Sequence, residues 1–147
     1  MALASASSVD ESVVKTLADA LGQTDCLLIF EGTPLLVSEA QRSVFDYYIV
    51  DVSAAADDYD LEMAINHALN WGVSAERLML GSVHGRTVTD NDKTVHSSLN
   101  RAAYFAQNAG SLAGVGIYDV GTDYYNSDII CKQTRGLIQQ LNPAKGK

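Results

Sequence analysis

The sequence predicts an α/β fold with one central sheet of about four to six strands flanked by two to three amphipathic helices, an α+β arrangement being the alternative. Three observations carry this. Helical stretches with an apolar stripe alternate with short apolar runs, the order expected of βαβ units. The longest such run, Phe45 to Ser53, is apolar on both faces, as in a central strand covered on both sides. Finally, 147 residues with 47% apolar and 19% charged side chains and only two prolines suffice for one core and exclude a disordered or collagen-like chain. A single domain over 1–147 is expected, with 1–8 and 142–147 as flexible ends.

The elements follow in order. Ser8 with Glu11 three residues on is a capping-box pattern, and Val9, Val13, Val14, Leu17 and Leu21 share one face of a helix that Gly22 ends. Asp25 to Phe30 reads as a strand and Glu31-Gly32-Thr33-Pro34 as turn chemistry. Leu35-Leu36-Val37 is a short strand or core filler. In Phe45 to Ser53, Phe45, Tyr47, Ile49 and Asp51 face one way and Asp46, Tyr48, Val50 and Val52 the other. Asp57, Asp58 and Asp60 suit a helix start, where acids meet unpaired N–H groups and the helix dipole. That helix carries Leu61, Ala64, Ile65, Ala68 and Leu69 on its stripe and closes at Trp71-Gly72. Glu76 to Val83 is a strand, and the polar stretch 84–93 is a loop or hairpin. A helix from about Thr94 presents Val95, Leu99, Ala102, Ala103 and Ala106 to the core and stops at Gly110. Leu112 to Val120 is a strand whose glycines imply close packing or a bulge. A tyrosine-rich turn over Gly121 to Asn126, a last strand around Asp128 to Gln133 and a short segment Leu137 to Leu141 complete the chain.

Charge and cysteine usage narrow the partners. The net charge of −8 divides unevenly: residues 1–92 carry −11 and residues 93–147 carry +3. An acidic chain without a basic run does not suit phosphate-gripping nucleic-acid binding, whereas opposite patches suit either a solvated surface or head-to-tail self-association. The N-terminus lacks the pattern of a signal peptide, and no run approaches 18 apolar residues, so neither signal-directed export nor a membrane span is expected. Cys26 and Cys131 lie in apolar stretches and read as buried reduced thiols, a disulfide between them being the alternative.

No motif names a reaction. In Gly81-Ser82-Val83-His84-Gly85 the serine stands one place after the first glycine, not the two a nucleophile elbow requires. Phosphate loops are absent, Gly114-Val115-Gly116 lacks a third glycine, and His67, His84 and His96 show no metal spacing, so no cofactor is expected. His67 is expected on a helix surface or beside Trp71, and Asp92 as a helix cap rather than a Ca²⁺ ligand. Asp51 ends a strand of an α/β sheet, the edge where ligands bind. If the chain is an enzyme, Asp51, His84, Arg86 and Asp90 are the candidate acid, base and anion-holding groups. A Gly-, Thr-, Asp- and Asn-rich loop serves equally as an assembly contact.

The leading amphipathic helix, Phe30-Glu31-Gly32, Arg42, the aromatic strand Phe45 to Ser53 and the helix Asp58 to Trp71 together resemble, over residues 9–80, the layout of tail-terminator proteins of Mu-like contractile phages. The polar loop 84–93 departs from that layout. The resemblance implies a non-enzymatic virion-assembly protein, a homohexameric ring that docks to tail or neck proteins and resides in the virion or host cytoplasm. Arg86, Asp90, Asp92, Arg101 and Arg135 are then the expected oligomer contacts. The competing readings are a small α/β enzyme or ligand-binding domain with its site near Asp51 and the 84–92 loop, and a subunit of a hetero-complex.

Overall fold

The computed structural model describes residues 10–126 and 132–142. Helix α1 (Glu11–Leu21) is capped by Asp10, whose carboxylate accepts the Ser12 N–H at 2.8 Å. The expected cap Ser8 lies outside the described residues. Of the expected apolar stripe, Val14 is buried and Val13 is exposed. The chain continues through β1 (Ile29–Glu31), the short helix α2 (Glu39–Arg42), β2 (Tyr47–Asp51), α3 (Asp58–Asn70), β3 (Leu78–Ser82), the hairpin β4 (Thr87–Thr89) and β5 (Val95–Ser97), α4 (Ser98–Asn108), β6 (Gly114–Ile117), α5 (Val120–Asn126) and α6 (Lys132–Leu141). The α/β prediction holds, with a four-stranded and a two-stranded sheet.

The larger sheet has the order β1-β2-β3-β6, and every neighbouring pair is parallel. Glu31 stands opposite Ile49, Asp51 opposite Gly81, and Gly81 opposite Gly116. Because side chains alternate, this register sorts the strands into two faces. On one, Phe30, Tyr48, Leu78 and Leu80 are buried, at 1% exposure or less, beneath Val14 of α1, Leu61 and Ile65 of α3 and Ala102 and Ala106 of α4. Phe30, Phe45 and Tyr48 pack edge-on or tilted there, with ring centroids 5.3, 5.6 and 5.7 Å apart. A smaller cluster of Leu99, Ala103 and Leu137 joins α4 and α6 to Val115 and Ile117 of β6.

The opposite face carries Ile29, Glu31, Tyr47, Ile49, Asp51, Met79 and three glycines, and among the described residues no helix covers it. Ile29, Tyr47, Ile49 and Met79 are only half-buried and belong to neither packed cluster. The expectation of a strand covered on both sides is thereby corrected: apolar residues do point both ways from β2, but only one direction meets a helix. Strands in sequence order with helices on one side form a singly wound sheet, the arrangement of a (β/α) barrel wall rather than of a doubly wound sheet with helices on both faces.

Several local expectations also change. Leu35 and Leu36 lie in a 3-10 turn (Pro34–Leu36), since Pro34 opens a turn and offers no strand donor. The helix expected from Thr94 begins at Ser98, because Val95–Ser97 pair with Thr87–Thr89 first and Ser97 then caps α4 by accepting the Asn100 N–H. Asp92 is exposed in the tip of that hairpin and caps no helix, its N–H donating to Asp90 at 3.0 Å. The tyrosine-rich segment is helical, and Lys132 and Gln133 of the expected last strand start α6. Cys26 is exposed with a free thiol rather than buried, and Cys131 lies outside the described residues. His67 is exposed with its ring 5.6 Å from that of Trp71, as expected. Among the described residues no helix is long and apolar enough to cross a membrane.

Candidate functional site at the carboxyl rim of the sheet

In parallel sheets ligands gather beyond the carboxyl ends of the strands, where the loops diverge. Here those ends bring Glu31 of β1, Asp51 of β2 and Tyr118, which follows β6, to one rim of the bare face. Strands about 4.8 Å apart with about 3.3 Å per residue place the Cα atoms of Glu31 and Asp51 roughly 8 Å apart, since Asp51 lies two residues beyond the partner of Glu31. The Asp51 Oδ1 accepts the Ser53 N–H at 2.8 Å, and the residue is exposed.

Tyr118 closes the group from the far strand. A Cβ built on Gly81 would stand 2.0 Å from the Tyr118 Oη and 2.8 Å from Ile49 Cγ2, so the absent side chain at Gly81 is the slot through which the phenol crosses the sheet. The phenol lies beside the Glu31 carboxylate. Burial raises its pKa well above the ordinary tyrosine value, and the negative charges of Glu31 and Asp51 push it in the same direction. Tyr118 is therefore a neutral hydrogen-bond donor beside two carboxylates throughout the physiological range.

A second polar cluster stands behind this rim. The His84 ring is almost wholly buried, with Nδ1 2.9 Å from Asp119 Oδ1 and Nε2 3.4 Å from Thr134 Oγ1 and 3.7 Å from Asp123 Oδ2. The same Asp119 oxygen accepts the His84 N–H at 2.8 Å. Burial of Asp119 opposes its ionisation, but hydrogen bonds from the His84 backbone, the His84 ring and Thr122 outweigh it and hold the carboxyl below the ordinary range. Asp123 accepts the N–H groups of Gln133 and Thr134 at 3.2 and 2.7 Å, capping α6. His84 thus joins β3 to the two C-terminal helices, an arrangement that fixes the rim in place.

The remaining candidates are engaged elsewhere. Asp90 accepts from His96 Nε2 at 2.8 Å and from the Thr94 N–H at 2.8 Å, bonds that lower its pKa and pin the hairpin. Arg86 is exposed, and its carbonyl accepts the Ser98 N–H. Arg101 clamps the buried Asp58 through Nε at 2.6 Å and Nη2 at 2.5 Å and lies over the rings of Tyr104 and Phe105. It is an internal tie between α3 and α4 rather than the expected oligomer contact. Of Asp51, His84, Arg86 and Asp90, the structure thus places only Asp51 in the rim group. Glu31 and Tyr118 were hidden, one inside apparent turn chemistry and the other behind two glycines. Their signal is parity: Glu31 falls two residues after Ile29, and Tyr118 two after Gly116.

At the opposite end of the sheet, Arg42 donates to the carbonyls of Val37 and Trp71, and Arg77 to that of Phe45 at 3.4 Å. A cavity of about 330 Å³ between them is lined by Glu39, Tyr48 and Val73. Its cations are committed to backbone carbonyls, as suits the stabilising end of such a sheet.

No family model and no curated protein matches the sequence. Solved structures do. A selenomethionine form of BT1044, a point variant, superposes with a TM-score of 0.70 at 18% identity over 96% of this chain and 49% of that one. An endo-beta-N-acetylglucosaminidase from Cordyceps militaris superposes with a TM-score of 0.63 at 17% identity over 92% of this chain and 54% of that one. The chain thus spans about half the length of each, and the likeness is one of fold. It corrects the reading of a non-enzymatic tail terminator: nearly the whole chain shares its fold with part of an endo-beta-N-acetylglucosaminidase, and Arg101, one of the ring contacts expected, is turned inward.

Proposed function

We propose that the carboxyl rim is an active centre for glycans containing β-linked N-acetylglucosamine, with Glu31 and Asp51 as its carboxyl pair and Tyr118 as the donor that orients Glu31. The observation that carries this is the convergence of two carboxylates and a neutral phenol at the strand ends of one bare sheet face. Cleavage of a glycosidic bond commonly uses two carboxyl groups, one giving a proton to the leaving oxygen and the other acting on the anomeric carbon directly or through water, at separations of roughly 5 to 9.5 Å. The Cα spacing is compatible with both modes. Asp51 is fixed by one donor, the Ser53 N–H, and Glu31 lies beside the neutral phenol. The likeness to an endo-beta-N-acetylglucosaminidase supports the substrate class.

The test is turnover of 4-methylumbelliferyl-β-chitobioside by the full chain. Asp51→Asn and Glu31→Gln are each expected to lower the rate by about 100-fold or more while circular dichroism stays unchanged. Equal rates in both variants, or no turnover by the unaltered protein between pH 4 and 8, would remove the assignment.

A further inference from the structure

The sheet is unfinished in three respects. Ile29, Tyr47, Ile49 and Met79 face no packed layer, although parallel sheets are normally covered on both sides. Among the described residues both outer strands, β1 and β6, keep an open edge within the sheet, a template for pairing with another chain. Four parallel strands in sequence order are also half of the eight that close a (β/α) barrel.

We propose that two copies of this chain close around a two-fold axis into one eight-stranded barrel, with β6 of each copy pairing in parallel with β1 of the other. A two-fold axis along the barrel makes the two seams identical and removes every edge. The bare faces then line one interior, and the rim carries Glu31, Asp51 and Tyr118 from both copies, so the site is complete only in the pair.

The seams are complementary in charge and in apolar surface. Helix α6, which follows β6 and α5, carries Lys132 and Arg135, whereas α1, leading into β1, carries Asp10 at its cap, Glu11 and Asp19 against the single Lys15. Val13 on α1 and Ile138 on α6 are 45% and 55% exposed, and Leu27, entering β1, is 55% exposed. A groove of about 480 Å³ beside β6 is lined by Met79, Leu112, Val115, Ile138 and Leu141 and can take an apolar side chain of the neighbouring copy.

The inference does not rest on the glycan reading, because it is tested by mass. Light scattering coupled to size exclusion, on the full chain at tens of micromolar, should give twice the 15.8 kDa of one chain. Lys132→Glu with Arg135→Glu makes both junction helices acidic, and Glu11→Lys with Asp19→Lys makes both basic. Each double variant should be monomeric at low salt with unchanged circular dichroism, and an equal mixture of the two should recover the dimer mass. Ile138→Glu should likewise yield monomers. A monomeric unaltered chain, a ring larger than two, or a dimer indifferent to all these changes would overturn the proposal. Turnover is read separately, so an inactive dimer would count against the glycan assignment alone.

Discussion

The two faces of the parallel sheet are built from neighbouring residues of the same strands, yet they differ in almost every physical respect. Phe30, Tyr48, Leu78 and Leu80 are sealed under helices, while Ile29, Tyr47, Ile49 and Met79, their immediate sequence neighbours, remain half-open. The first face supplies the packed core, whereas Glu31, Asp51 and Tyr118 all project from the second at the carboxyl rim. Period-two alternation assigns a residue to a face with confidence but does not say what lies opposite.

The largest expected effect lies on the helix-covered side. Arg101→Leu strands the buried Asp58 carboxylate without its bidentate partner and should cost about 4 kcal/mol in urea denaturation. Leu80→Ala, within the covered face, should cost about 3 kcal/mol by lost burial and the cavity left behind. Ile49→Ala, on the bare face, should cost only about 1 kcal/mol when measured in the Ile138→Glu background, where the chain is alone. A cost equal to that of Leu80→Ala would show that the second face is already covered within a single chain, ending the contrast. Tyr118→Phe should leave stability nearly unchanged and lower chitobioside turnover, because only the hydroxyl beside Glu31 and Asp51 is lost.

The smallest effect expected is a pH dependence. Asp119 has a folded pKa below its ordinary 3.8, so it binds its proton more weakly folded than unfolded. Its contribution is present above the ordinary value and lost as pH falls through the folded one. Urea midpoints between pH 5 and 2 should therefore decline less steeply in Asp119→Asn, with a difference below about 1 kcal/mol because the carboxyl is partly exposed.

Much of the fold was legible because its signals are local. The stripe Leu61, Ile65 and Ala68 and the alanines of α4 lie where the 3.6-residue period puts them. Residues 120–126 defeated the same reasoning: Gly121 and two tyrosines suggest a turn, and the helix that forms there leads to Asp123, whose carboxylate caps the next one. Cys26 is exposed because β1 starts only at Ile29, three residues later than the apolar run suggests. The site was half legible. Asp51 is visible as an acid ending an apolar strand, but its companions come from strands 20 and 67 residues away in sequence, and nothing local marks that register. His84 attracted attention as a polar residue after a strand, although its neighbours Asp119 and Asp123 make it a structural joint.

The slot at Gly81 ties two distant codons into one heritable trait. Any side chain there collides with the Tyr118 ring and with Ile49, so drift at position 81 is blocked for as long as the tyrosine remains. Once a smaller residue replaces Tyr118, the tighter of the two collisions is removed and only the one with Ile49 is left. The glycine and the tyrosine should accordingly be retained or lost together across descendants of this sequence, a paired inheritance that marks which lineages keep the rim and which have abandoned it.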